Sequence, residues 1–236
     1  MEIPMIYCIN LKQSTDRRKR MEKRLKNASL YEKTKFIDAV SRDSPLIDYY
    51  HQFATQAYTN TRKWRSEMGC FASHLKAIRT FLEDGGNECL ICEDDIMFRN
   101  NFFEEYFKVR SNMLPDTPFV ALSYMVCKWG GYNWSGIDPS KHNLCRINVK
   151  ETWGMQLYWI SKEYAIEMLT KFDMPYKNEN YIHTSEVILR DPRCYLAYPP
   201  LAIEDSLDSE RAPEDLPYHR NHFNQWGKHN FMDCEQ

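Results

Sequence analysis

Long apolar runs are missing from this chain of 236 residues, and no stretch approaches the roughly 18 residues that a membrane-crossing helix needs. A surplus of one charge is missing as well, since 31 Lys and Arg stand against 33 Asp and Glu for a net −2. Nothing therefore draws the chain as a whole toward nucleic acid or an anionic membrane. Cysteine is sparse, eight residues without the paired spacing of a secreted disulfide scaffold, which favours a reducing compartment. Internal repeats, low-complexity tracts and linker-like breaks are absent. The opening MEIPMIYCINLK is too short and interrupted in its apolar part for a secretory leader, and the closing FMDCEQ has no retention or prenylation signal. A soluble, cytoplasmic protein is the expectation.

What is present is an ordinary globular composition, 43% apolar, arranged as strands alternating with helices. Met5 to Leu11 is a short β-forming run followed at once by Ser14, Thr15 and Asp16, which start a helix over about 15 to 28 with Met21, Leu25 and Ala28 on one stripe. Lys35 to Val40 reads as the next strand. Met68, Phe71, Leu75, Ile78 and Leu82, spaced 3, 4, 3 and 4, predict a helix capped by Ser66 and stopped by Gly85-Gly86. Cys89 to Cys92 (CLIC) fits a central strand covered on both faces. A helix from Asn101, with Glu104 completing a capping box, is followed by strands over Phe119–Met125 and Thr152–Ile160 and a helix from Ser161. The fold class is α/β, with a central, mostly parallel sheet flanked by helices.

Ligands of open α/β sheets sit beyond the carboxyl ends of the strands. Glu93-Asp94-Asp95 stands at such an end, and three adjacent carboxylates repel one another unless a cation or hydrogen-bond donors offset them. Hard oxygen ligands of this kind suit Mg²⁺ or Mn²⁺; the bland alternative is an exposed acidic turn. The basic run 12 to 26, with eight Lys/Arg, reads as a solvated helix face, Arg17 excepted because it lies in the first turn beside the first strand. His74 falls on a buried stripe and fits either a satisfied core histidine or a functional one. Cys89 and Cys92 point to opposite faces of a strand and make no zinc site. Trp153 and Trp159 read as core; Trp129 and Trp134 sit in a glycine-containing loop where they could stack on a sugar. His219, His222 and His229 read as a polar tail rather than a metal cluster.

The ordered blocks INLKQSTDRRKRMEKRL, FIDAV, SEMGCFASHLKAIRTFLEDGGNECLICEDDI, WGMQLYWISKEYA and YPPLAIED resemble glycosyltransferase family 25 across roughly residues 5 to 206. That family includes lipooligosaccharide galactosyltransferases, collagen β-galactosyltransferases and proteins of large DNA viruses. The resemblance implies a GT-A-like (Rossmann-like) catalytic domain over 1–236, with a nucleotide-sugar half at about 1–125 and an acceptor half at about 126–236. It further implies a UDP-sugar donor and Mn²⁺ (or Mg²⁺). By resemblance Glu93 and Asp95 take the outer positions of a D-x-D-like motif. Asp95 would contact the metal, and Glu93 or Asp94 the ribose or a metal-bound water. Asn10, Leu11 and Arg17 match the block where uridine and diphosphate lie, Asp38 the nucleotide edge, and Glu67, Gly69, Ser73 and His74 the G-E-x-G-C-x-x-S-H block, in which Ser66 replaces the first glycine. Glu186 is the nearest match to the family's late acidic position and the first candidate for catalytic base. Asp205 is the reserve; it follows Glu204, where a glutamine is usual.

The activity so implied is transfer of a hexose, galactose or glucose, to an acceptor hydroxyl with inversion. The acceptor would be a glycan or a protein with collagen-like hydroxylysine, and the setting the host cytoplasm if the chain is viral. A non-catalytic nucleotide-sugar or carbohydrate-binding protein of the same fold is the alternative. Nucleic-acid binding through helix 15 to 28 rests on charge alone. The oligomeric state stays open, with a homodimer among the options.

Overall fold

The structure is a computed structural model that describes residues 2–52, 63–126, 143–147, 152–172, 191–208, 216–224 and 226–232. Its elements in chain order are β1 (Ile6–Asn10), α1 (Thr15–Asn27), β2 (Thr34–Asp38), α2 (Pro45–His51), α3 (Trp64–Glu83), β3 (Glu88–Glu93), β4 (Ile96–Phe98), α4 (Phe102–Ser111), β5 (Phe119–Val126), β6 (Asn143–Arg146), β7 (Thr152–Ser161), α5 (Lys162–Phe172), β8 (Tyr195–Tyr198), β9 (Ala202–Glu204) and α6 (Leu216–Asn224). Among the described residues seven strands form one sheet in the order β2-β1-β3-β7-β5-β8-β6, while β4 and β9 make a separate two-stranded ribbon. β1, β2, β3, β5 and β8 run one way, and β6 and β7 run against them. This is the mostly parallel, helix-flanked, GT-A-like architecture expected from the sequence, with β7 inserted in reverse between β3 and β5.

Strand alternation divides the core into two layers. On one face Tyr7 and Ile9 of β1 and Cys89 and Ile91 of β3 pack on Phe71, Leu75 and Ile78 of α3, and Phe71 meets Phe172 of α5 edge-on at 5.6 Å. On the other, Ile6, Cys8, Leu90 and Cys92 pack on Met21 and Leu25 of α1 and on Phe102 and Tyr106 of α4. Cys89 and Cys92 thus lie in opposite layers, as their spacing requires. Trp159 is buried and Trp153 half-buried.

Two helix starts differ from the sequence reading. α3 begins at Trp64, with Lys63 as its N-cap and Ser66 already inside the first turn. Tertiary contacts extend it backward: Trp64 lies on the His51 ring at 4.9 Å and Arg65 pairs with Asp48 of α2 at 2.9 Å. At α4 Asn101 is the N-cap, but no capping box forms. Its amide donates to the Glu105 carboxylate at 2.7 Å, because Glu105 is the buried acid of that turn, also holding Lys108 at 2.8 Å. α3 ends on Gly85, whose φ of +80° suits glycine.

α1 is fastened to the β4–β9 ribbon by charge as well as apolar packing. Arg24 and Asp205 are both almost fully buried, and Arg24 Nη1 donates to Asp205 Oδ2 at 2.6 Å and to the Ile96 carbonyl at 3.3 Å. Removing one member strands the other charge in the interior. Arg24→Met should therefore destabilise the fold by about 3–5 kcal/mol in urea titration, and adding Asp205→Asn should restore most of the loss. A loss in the single variant no larger than in the double would show that the pair does not hold the ribbon.

Candidate functional site

β1 and β3 are parallel neighbours, so their carboxyl ends bring Asn10 and Glu93 to one edge of the sheet, with the turn Asp94-Asp95 just beyond. α1 starts five residues after β1 and aims its first turn at that edge. Arg17 Nη2 reaches Asp94 Oδ1 at 2.5 Å and Asp95 Oδ2 at 2.7 Å, and its Nη1 lies 3.5 Å from Asp208. Asn10 donates to Asp94 Oδ2 at 2.5 Å and to the Ser14 carbonyl at 3.4 Å. Asp208 in turn holds Arg20 at 2.6 Å. Asp94 and Asp95 are 6% and 8% exposed, so the acidic turn is buried and not the solvated turn of the bland reading.

Burial raises the pKa of both carboxyls, that of Asp95 well above its ordinary value. Arg17 opposes the rise at both, Asn10 also opposes it at Asp94, and Glu204, Glu93 and Asp94 add to it at Asp95. Burial also works against the Arg17 charge, but Asp95, Asp94 and Asp208 together outweigh it and hold the guanidinium charged. Asp95 Oδ1 is buried without a hydrogen-bond partner. An orphaned carboxylate oxygen among crowded acids is the donor that a hard divalent cation requires, so the residues present fit Mn²⁺ or Mg²⁺.

The chain returns to this edge through β9. Ile96 pairs with Glu204, and the Asp205 amide donates to the Asp95 carbonyl at 2.7 Å. Glu204 is buried; His219 Nδ1 of α6 lies 2.9 Å from its Oε1, and Gln156 of β7 donates to its Oε2 at 3.5 Å. Asp205 faces inward, with one oxygen on Arg24 and the other accepting from the Leu207 amide at 3.0 Å. His219 and His222 are structural members of this edge, so the polar-tail reading is corrected: His222 is buried, and burial lowers its pKa to about 4.

The α3 block lies on the other face. Glu93 is the last residue of β3 and shares with Ile91 the face toward α3, where its Oε1 meets His74 Nε2 at 3.4 Å. His74 Nδ1 is 3.0 Å from the Tyr158 hydroxyl. Burial alone would lower the His74 pKa; Cys70 and Glu93 overcome it and raise it to about 9. Ser73 uses its hydroxyl internally, donating to the Gly69 carbonyl at 2.6 Å and accepting from the Val40 amide at 2.8 Å. That clasp holds the segment after β2 so close that a Cβ on Gly69 would stand 2.7 Å from the Val40 carbonyl oxygen. Glu67 is buried in the first turn of α3. Asp38 ends β2 exposed, its carbonyl taking Lys76 Nζ at 2.7 Å, and the carbonyl of half-buried Leu11 accepts from the Ser14 amide.

Of the residues singled out in the sequence, Asn10, Arg17, Asp94 and Asp95 converge directly, Glu93 and His74 meet behind them, and Ser73 works as a clasp. Glu186, Trp129 and Trp134 lie outside the described residues. Sequence reasoning misses Arg24, although its spacing of seven from Arg17, alongside Met21 and Leu25, marks one helix face. It also misses Glu204 with Gln156 and His219. The substitution of Glu204 for the usual glutamine is the signal that could have found that group.

Comparison with known proteins identifies the family. A curated protein of Acanthamoeba polyphaga mimivirus, described as a "putative glycosyltransferase", is 31% identical over 131 residues, covering 53% of this chain and 39% of that protein. Human procollagen galactosyltransferase 2 is 27% identical over 120 residues, 46% of this chain and 18% of that protein. The chain thus spans well under half the length of these curated relatives. A solved glycosyltransferase involved in the glycosylation of the major capsid of PBCV-1 aligns at TM-score 0.38 and 11% identity, over 93% of this chain and 100% of that one. The model of glycosyltransferase family 25, described as an LPS biosynthesis protein family, matches residues 3–182, most of the chain, and the chain belongs to glycosyltransferase family 25.

Proposed function

We propose that this glycosyltransferase moves a hexose, galactose or glucose, from a UDP-sugar to an acceptor hydroxyl by direct displacement with inversion, using Mn²⁺ or Mg²⁺. The observation that carries the reading is the buried Asp94-Asp95 turn at the carboxyl ends of β1 and β3, with Asp95 Oδ1 unpartnered and Arg17 as its internal counter-ion. Asp95 would hold the ion with Asp94 beside it, while Glu93 turns toward His74. When bound, a divalent ion offsets the charge that develops on the leaving diphosphate. Arg17 has a double role. Without ligand it neutralises the carboxylates, and with the diphosphate present it turns a charge-assisted donor toward the phosphate oxygens. Asn10 fixes the Asp94 carboxylate for either state. The acceptor, a glycan or a collagen-like hydroxylysine, would approach on the far side of the sugar, where a base must take its proton. Glu186 is our assignment for that base. Asp205, with its oxygens on Arg24 and the Leu207 amide, and Glu204, held by His219 and Gln156 beside Asp95, both belong to the framework.

Three outcomes test this reading. Asp95→Asn should abolish Mn²⁺-dependent UDP binding in calorimetry while leaving the fold intact; unchanged affinities would place the metal elsewhere. Arg17→Ala should weaken UDP binding by roughly 1.5–3 kcal/mol, against a few tenths for Lys19→Ala or Lys23→Ala on the exposed face of α1. The same variant should bind Mn²⁺ alone more tightly than wild type, since a competing cation has gone. Equal UDP losses at all three positions would indicate a diffuse basic patch. Glu186→Gln should reduce transfer by about 10²- to 10⁴-fold with UDP-sugar affinity near normal. Transfer within threefold of wild type would overturn the assignment of Glu186 as the base.

A further inference from the structure

Glu93 belongs to the acidic triplet in sequence, but Arg17 makes no contact with it among its described ion pairs. Its carboxylate points across the sheet to α3, where Cys70 and His74 stand one helical turn apart. Cys70 Sγ, a ring nitrogen of His74 and a Glu93 carboxylate oxygen all lie within 4.8 Å of one another. The Nε2 to Oε1 separation is already 3.4 Å, close to that of two ligands sharing one ion. Cys70 and Glu93 are partly exposed while His74 is 1% exposed, so an entry path meets a rigid floor. The other ring nitrogen, Nδ1, is tied to the hydroxyl of fully buried Tyr158 at 3.0 Å. Such an outer partner fixes the ring and the tautomer of a metal-binding histidine. In the tautomer that donates Nδ1–H to Tyr158, Nε2 is the nitrogen that offers its lone pair beside a carboxylate oxygen and a sulfur. Three electron-rich atoms converging on one half-buried point require a proton or a metal ion between them.

We propose that Cys70, His74 and Glu93 form a second cation site, specific for a borderline-soft ion and best suited to Zn²⁺, separate from the hard-oxygen site at Asp94-Asp95. The donor set selects the ion: thiolate and imidazole favour Zn²⁺ over Mn²⁺ or Mg²⁺, and three protein ligands leave a fourth tetrahedral position open to water or another small donor. Binding releases the thiol proton and the proton that His74 shares with Glu93, and ties α3 to the end of β3. Through Glu93 it also fixes the main chain from which Asp94 and Asp95 project. The site stands on its own geometry, independently of the donor sugar proposed above.

Co²⁺ titration of the full chain tests it, with Zn²⁺ as competitor. One equivalent of Co²⁺ should produce a thiolate-to-metal charge-transfer band that Zn²⁺ displaces. Cys70→Ser, a mild change at a partly exposed position, should remove the band and weaken Zn²⁺ binding at least about tenfold. Tyr158→Phe should keep the band and weaken binding about 10- to 100-fold. Asp95→Asn should leave the band unchanged even where it abolishes Mn²⁺-dependent UDP binding, so the two sites fail separately. No band in the wild type, a band that survives Cys70→Ser, or one that disappears with Asp95→Asn would each overturn the proposal; the first outcome would mean that only a proton bridges the three groups.

Discussion

Carboxylates can be buried together only where positive charge is buried with them, and that constraint organises this molecule. Asp94, Asp95 and Asp205, all buried, gather with the more exposed Asp208 at one edge of the sheet. Their counter-charges come from one face of a single helix: Arg17 on Asp94 and Asp95, Arg20 on Asp208 and Arg24 on Asp205. α1 is thus both a packing element, through Met21 and Leu25, and a row of fixed cations aimed at the ends of the strands. Its arginines do different work. Arg24 is sealed within the core and contributes only to structure, whereas Arg17 keeps 14% of its side chain exposed and lies where an anionic ligand can reach it.

The main elements were legible in the sequence because periodicity and punctuation coincide there. The stripe Met68, Phe71, Leu75, Ile78 identifies α3, and CLIC ending in three acids identifies a central strand whose carboxyl end carries chemistry. Boundaries set by distant contacts were not legible. α3 gains its first turn from Trp64 and Arg65 meeting α2, and α4 selects Glu105 over Glu104 because burial, not spacing, decides which acid the Asn101 amide meets.

The site was half legible for the same reason. Asn10, Arg17 and the acidic turn follow from strand ends and a helix start, both local. The inward stripe of arginines on α1 was concealed by Lys19 and Lys23, which make the run look uniformly solvated. Glu204 and His219 required knowledge that β9 pairs with β4, a contact across about a hundred residues that no spacing encodes. The chain turns at Asp94-Asp95 directly after β3, so Glu93 keeps the strand side that faces α3 while Asp94 and Asp95 meet Arg17, and three consecutive acids serve two sets of partners.

The reversed β7 also bears on how the chain can be made. β3 and β5 are consecutive strands of the large sheet in sequence, yet neither touches the other; Thr152–Ser161 lies between them and hydrogen-bonds to both. During synthesis from the amino end, the β2-β1-β3 sheet emerges with one apolar edge open, and that edge stays open until some sixty further residues have left the ribosome. Closure is therefore a non-local event, slow by the cost of loop closure, and the waiting edge is a template for pairing with other chains. A nascent or truncated chain ending before residue 152 would carry the acidic turn and its arginines on a sheet whose central edge has no partner, so solubility of the amino-terminal half depends on a strand that arrives late.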